Sequence, residues 1–340
     1  MPKSFRDKLN FLSKLNVQKI INALHIYFSY QYSKSRGVNY HRGYPISISV
    51  EPTTACNLGC PECPSGLKKF TRDTGNMKED FFNTVLNQVA KKVAYINFYF
   101  QGEPYINSRF LEMVKSASNK NIYTSTSTNA HFITDEVAKK TVLSGLDRLI
   151  VSIDGTTQEV YESYRKYGKL SKVLEGTEKI VKWKKELKSN TPYLIFQFLV
   201  VKPNEHQISE VKKLAKKLGV DAVKFKTAQV YNFKNGNDLI PTIEKFARYK
   251  LQPDGTYQIK NELENSCWKM WHSCVITWDG LVVPCCFDKD AEQRLGDLKE
   301  KPFAQIWEGE KYNQLRQSIL KSRSEIEICK NCSEGTKVWA

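Results

Sequence analysis

The sequence predicts an α/β protein: an open, partial (β/α)6 barrel of TIM type, followed by a small C-terminal domain. Three observations predict it. Six short runs rich in branched and aromatic residues alternate with helical patterns between residues 46 and 227. After residue 262 the alternation gives way to a hairpin pattern. Nine cysteines fall in groups, at 56, 60, 63 and then at 267, 274, 285, 286, 329 and 332. Six units are too few to close an eight-stranded barrel, so the open form is expected.

Residues 1–44 read as an amphipathic helical extension, with helix over about 3–34. Phe5, Leu9, Leu12, Ile20, Leu24 and Phe28 recur at three- and four-residue spacings, while Lys3, Arg6, Lys8, Lys14 and Lys19 populate the rest. Such a segment either packs on the main domain or lies at a membrane surface or against a partner. Residues 45–227 carry the barrel. Its strands are expected at 46–51 (ISISVE), 93–100 (VAYINFYF), 121–127 (NIYTSTS), 147–153 (DRLIVSI), 193–201 (YLIFQFLVV) and 221–227 (DAVKFKT). Helices are expected between them, one of them capped by Thr134. Residues 228–262 form a polar connection. Residues 263–340 form the C-terminal domain: a hairpin turning at Asp279-Gly280, a helix over about 303–321, and a terminal CKNC.

A net charge of +16, from 52 basic and 36 acidic residues, invites a nucleic-acid reading. The lysines are spread over many helix faces and never form a like-charge block, so nucleic acid is disfavoured. A basic surface equally suits an anionic substrate, an acidic electron donor or anionic lipid. An odd, clustered cysteine set argues against a disulfide framework. The first residues carry charges throughout and no apolar core, so no secretory signal is expected, and a reducing cytoplasm suits the thiols.

Active residues of a parallel barrel gather at the carboxyl ends of its strands. Cys56, Cys60 and Cys63 follow the first strand, Gly102, Glu103 and Pro104 the second; Thr128 and Asn129 end the third, Ser152 and Asp154 the fourth. A C-x3-C-x2-C loop suits three corners of a [4Fe–4S] cluster, one thiolate per iron, and leaves one iron open for chemistry. A zinc site would want paired C-x2-C ligands.

CNLGCPEC with GEP on the next strand end resembles the radical S-adenosylmethionine (radical SAM) superfamily over roughly residues 46–227. The resemblance implies that S-adenosyl-L-methionine chelates the open iron and yields a 5′-deoxyadenosyl radical that abstracts hydrogen from a substrate. It places Gly102 and Glu103 at the methionine amino group, Ser152 and Asp154 along the ribose and carboxylate, and Pro104, Thr128 and Asn129 nearby. Arg165 suits a carboxylate clamp, its alternative being a surface salt bridge. Glu62 departs from the family, which usually has an aromatic or large apolar residue before the third cysteine.

Cys267, Gly280 and Cys285 are spaced C-x12-G-x4-C, similar to the opening of the SPASM extension of such enzymes. With Cys329 and Cys332 the resemblance implies four ligands to one auxiliary [4Fe–4S] cluster, in a shortened, twitch-like SPASM domain. A four-cysteine zinc knuckle is the alternative. Cys274 and Cys286 remain, with the core as their default place. Cys286 is also the candidate catalytic thiol, a hydrogen donor to a substrate radical. A peptide or a sugar-type substrate and a reductant such as flavodoxin or ferredoxin complete the expectation. Two other classes stay open: a non-catalytic iron–sulfur carrier and a radical SAM RNA-modifying enzyme.

Overall fold

The computed structural model describes residues 3–335 and 338. The N-terminal segment folds as two helices, α1 (Lys3–Ser13) and α2 (Val17–Arg36), where the periodicity suggested one. Asn16 makes the break: its backbone is extended and its side chain accepts the amide of Lys19, so α2 starts afresh with its own cap.

Strands β1 (Ser47–Val50), β2 (Tyr95–Asn97), β3 (Tyr123–Thr128), β4 (Arg148–Ser152), β5 (Tyr193–Val200) and β6 (Ala222–Thr227) lie side by side in that order, all parallel. Between them run α3 (Pro64–Leu67), α4 (Glu79–Val89), α5 (Phe110–Asn119), α6 (Asp135–Leu143), α7 (Gln158–Tyr164), α8 (Leu170–Glu186) and α9 (Ile208–Leu218). The ladder of β2 stops at Asn97, short of residue 100, so Tyr99 and Phe100 are free to wall the cleft above. Short α7, absent from the sequence reading, starts on a Thr157 cap and delivers Arg165 just past its end. Thr134 caps α6 as expected.

The connection carries a two-stranded ribbon, β7 (Tyr249–Leu251) with β8 (Tyr257–Ile259). Beyond it come α10 (Trp268–His272), β9 (Ser273–Ile276), β10 (Leu281–Val283), β11 (Gly296–Asp297), α11 (Phe303–Trp307), α12 (Glu310–Ser322) and α13 (Glu327–Lys330). β9 pairs with β1 in parallel, Ser47 opposite Ser273, so the C-terminal hairpin extends the barrel sheet to nine strands. One apolar core runs through both parts, from Phe82, Phe98 and Phe196 to Trp271, Trp307 and Tyr312. Shared burial of this kind holds the two cysteine regions in a fixed relation. Among the described residues, no helix is long and apolar enough to cross a membrane.

Candidate active site

The loop after β1 presents Cys56, Cys60 and Cys63, and the ends of β2, β3 and helix α7 each send one side chain to a sulfur. Asn129 Nδ2 lies 3.9 Å from Cys56 Sγ, Arg165 Nη1 3.7 Å from Cys60 Sγ, and Gln101 Oε1 3.7 Å from Cys63 Sγ. Burial pushes the Cys56 thiol up to about 12 and raises that of Cys60. Metal ligation there must therefore displace protons. The loop packs against the GEP turn at Gly102, which has φ +74°; a Cβ on it would sit 2.2 Å from the Thr53 carbonyl oxygen. Its amide donates to Ser65 Oγ at 2.8 Å, and that of Glu103 to the Ala55 carbonyl at 2.8 Å.

A cleft of about 170 Å³ is lined by the three cysteines, Gly102, Glu103, Thr128, Asn129, Ser152 and Arg165, with Tyr99 and Phe100 as added walls. Buried Glu103 accepts Thr128 Oγ1 and the Asn129 amide, both at 2.7 Å. Desolvation nonetheless raises its carboxyl to about 7. Its Oε1 also takes the Tyr105 amide at 3.3 Å, so Oε2 is the oxygen that keeps a second lone pair for an ammonium donor. Two expected residues stand elsewhere. Buried Pro104 opens a 3₁₀ turn and is not among the residues lining the cleft. Asp154 does not reach the cleft: its oxygens take the Leu199 amide at 2.7 Å and Arg165 Nε at 2.5 Å. Its strand-end position puts Arg165 between it and the cleft. Asp154 is therefore a positioning residue, and Arg165 belongs to a buried pair, not a surface salt bridge. Glu62 also points away, accepting the Tyr231 amide at 2.9 Å and tying the cysteine loop to the connection.

Cys267, Cys285, Cys329 and Cys332 surround one small enclosed cavity walled by Met270, Ile319, Ile326 and Ile328. Fully buried Arg323 donates to Cys332 Sγ at 3.3 Å and to the Ser266 carbonyl at 2.8 Å. Among the described residues, no three or more His, Cys, Asp or Glu side chains gather as a single ion requires. Each set rings a cavity instead, which is what a cubane asks, because every iron takes its own thiolate. The residues present thus fit two clusters, the first with a place left open. Cys274 is buried on β9. Cys286 lies outside the ring, half-buried, with Lys269 Nζ 3.5 Å from its sulfur. Burial opposes the Lys269 charge, but Cys286 and an ion pair to Glu334 more than offset this and raise its pKa.

Sequence reasoning passed over several supports. Glu51 and Arg72 form a buried bidentate pair at 2.6 and 2.8 Å, and the Trp278 amide adds 3.2 Å to the same carboxylate. That pair joins the end of β1, the segment after α3 and the C-terminal hairpin. Gln101 stood beside GEP and was findable. Arg323 carried no local signal.

Residues 50–197 match the radical SAM superfamily, and residues 267–333 match SPASM, an iron–sulfur cluster-binding domain. The tungsten-containing aldehyde ferredoxin oxidoreductase cofactor-modifying protein of Pyrococcus furiosus is 27% identical over 328 residues, covering 84% of this chain and 86% of that protein. PqqA peptide cyclase of Bradyrhizobium diazoefficiens is 27% identical over 205 residues, covering 59% and 52%. Two solved structures share the fold. BtrN in complex with AdoMet and 2-DOIA has a TM-score of 0.54 at 18% identity, covering 88% of this chain and 96% of that one. Streptococcus suis SuiB bound to precursor peptide SuiA has a TM-score of 0.62 at 13% identity, covering 91% and 74%. With both motifs matched over the two regions where the structure gathers its cysteines, the chain belongs to the radical SAM superfamily, in the subgroup whose enzymes carry a SPASM domain, a SAM-binding [4Fe–4S] cluster and an auxiliary one.

Proposed function

We propose that this enzyme abstracts hydrogen from a peptide and that the auxiliary site accepts the second electron, leaving an oxidised or cross-linked product. One observation carries the reading. A cleft of about 810 Å³ is bordered by Pro64, next to the last cysteine of the first loop, and by Phe287, Ile328 and Asn331, beside the auxiliary cysteines. None of the cysteines lines this cleft, but sequence neighbours of both sets do, so a substrate there lies near each. Lys234, Lys289, Asp288, Asp290 and Glu327 give its rim both signs of charge, which suits a peptide's mixed groups. Tyr249 fixes two walls together, bonding Val230 through its amide at 2.8 Å and Asn331 at 3.0 Å. The relative named a peptide cyclase supports the same substrate class.

Cys56, Cys60 and Cys63 would hold the cluster, which would supply the electron for cleaving S-adenosyl-L-methionine, the cosubstrate in turn supplying the hydrogen-abstracting radical. The chain's own part is orientation. Arg165, aimed by Asp154, offers its remaining donors to the methionine carboxylate. Glu103 receives the amino group, and Thr128, Asn129 and Ser152 flank the nucleoside. Hydrogen return to the substrate radical from Cys286, beside Lys269, is the alternative outcome, which would give inversion instead of oxidation. A flavodoxin or ferredoxin, both acidic, is the reductant that the +16 charge suits.

The test is anaerobic reconstitution with iron and sulfide counts, then 5′-deoxyadenosine assay against a peptide library and a sugar and polyol set. About eight irons are expected, and about four in the Cys267→Ala/Cys285→Ala variant. Stimulation by peptides supports the reading; stimulation by sugars alone sinks it. An unchanged product from Cys286→Ala removes the hydrogen-donor role.

A further inference from the structure

We infer that α1 and α2 seat this enzyme on an anionic lipid surface, with the active-site cleft turned away from the bilayer. The two helices are packed with their amphipathicity reversed. On α2 the buried face holds Lys19, Asn22, Ser29 and Ser33 beside Ile26 and Tyr30. The opposite face is apolar and open: Val17 is 71% exposed, Phe28 63%, and Ile20, Ile21 and Leu24 47% each. Their spacing of three and four residues sets them in one ridge along the helix. Phe5, Leu9 and Leu12 make the same pattern on α1, with Leu12 56% exposed. Half of the exposed large apolar side chains among the described residues fall between residues 5 and 32.

Specific polar contacts hold the helices in this orientation. Lys19 Nζ donates to the Asn121 carbonyl at 2.6 Å, and Asn22 bonds the Tyr44 carbonyl and amide at 2.9 and 2.7 Å. Asn10 donates to Asp147 at 2.7 Å, and Asp7 takes the Tyr123 hydroxyl at 2.5 Å and pairs with Arg148. A helix pinned by its polar side keeps its apolar side outward, so the ridge is built into the fold.

Charge decides the occupant. Of the eight cations between residues 3 and 42, Lys19 is as buried as the one acid, Asp7, and Lys3, Lys14 and Lys34 pair with Asp221, Asp147 and Glu264, while Arg6, Lys8, Arg36 and Arg42 stay exposed beside the ridge. An apolar ridge flanked by cations fits acyl chains below anionic headgroups. A second copy of the chain would bring the same cations face to face. The helices contact residues where β3 and β4 begin, the end of the barrel opposite the cysteine loop. Docking there leaves the cleft open to solution.

The experiment is flotation of the full, cluster-loaded chain with vesicles of phosphatidylcholine, with and without about 30% phosphatidylglycerol. Binding at least tenfold stronger to the anionic vesicles is expected, weakening as salt rises. The Leu12→Glu/Ile21→Glu/Phe28→Glu variant should lose it while keeping its iron and its S-adenosyl-L-methionine cleavage. Equal binding of the variant, or no flotation of the parent, overturns the inference. So does a lipid-free dimer, seen by light scattering, that the same substitutions dissociate, since the ridge would then be an interface between copies.

Discussion

At the scale of single residues, the site is governed by pairs in which one side chain aims another. Asp154 is fully buried and pairs with Arg165. Asp154→Asn keeps the shape and removes the charge, so S-adenosyl-L-methionine should bind on the order of tenfold more weakly by equilibrium dialysis, with iron content unchanged. Glu51 and Arg72 are the structural counterpart, with side chains only 0% and 1% exposed. Removing the carboxylate strands a buried guanidinium, so Glu51→Ala should cost about 3–5 kcal/mol in chemical denaturation. Arg323 is placed to tune the auxiliary site through its bond to Cys332. A charge-assisted bond is worth about 1.5–3 kcal/mol, which for one electron is on the order of 60 mV or more. Arg323→Gln should shift the auxiliary reduction potential to more negative values by that order in anaerobic titration.

At the scale of elements, local chemistry settles where helices begin and packing settles what they cover. Asn16 caps α2, and Asn16→Ala should cost about 1 kcal/mol in thermal or chemical unfolding. The helical periodicity of residues 3–34 was plain in the sequence; which face would be buried was not. The usual rule sends the apolar stripe inward, whereas here Lys19 and Asn22 find backbone partners on the barrel and the stripe is left outside. Strand order was legible because each βα unit repeats a local pattern. The parallel pairing of β9 with β1 was not, because those strands are more than two hundred residues apart.

The whole molecule joins two iron–sulfur regions through one core, and two partly buried histidines pack against its tryptophans. His41 is lowered to about 3 by burial, then by Arg316; His272 is lowered to about 4, chiefly by burial. His41 packs its ring edge-on against Trp307, and His272 stacks on Trp268. Both are neutral in the folded chain and protonate near 6.5 when unfolded. The unfolded state therefore gains protons first on acidification, and stability falls from about pH 6.5 towards pH 4. Thermal unfolding midpoints should drop over that range, and His272→Gln should flatten the drop.

By itself, the sequence determined the barrel plan, the three-cysteine loop and the spacing of the auxiliary cysteines, because strands, caps and metal ligands are written in short local patterns. Only the tertiary structure decided that Asp154 stands behind Arg165, that Arg323 reaches an auxiliary sulfur, and that the apolar ridge of α1 and α2 faces out. Each of these depends on which surface meets which, and that is set by long-range packing and by the polar partners a buried group can find.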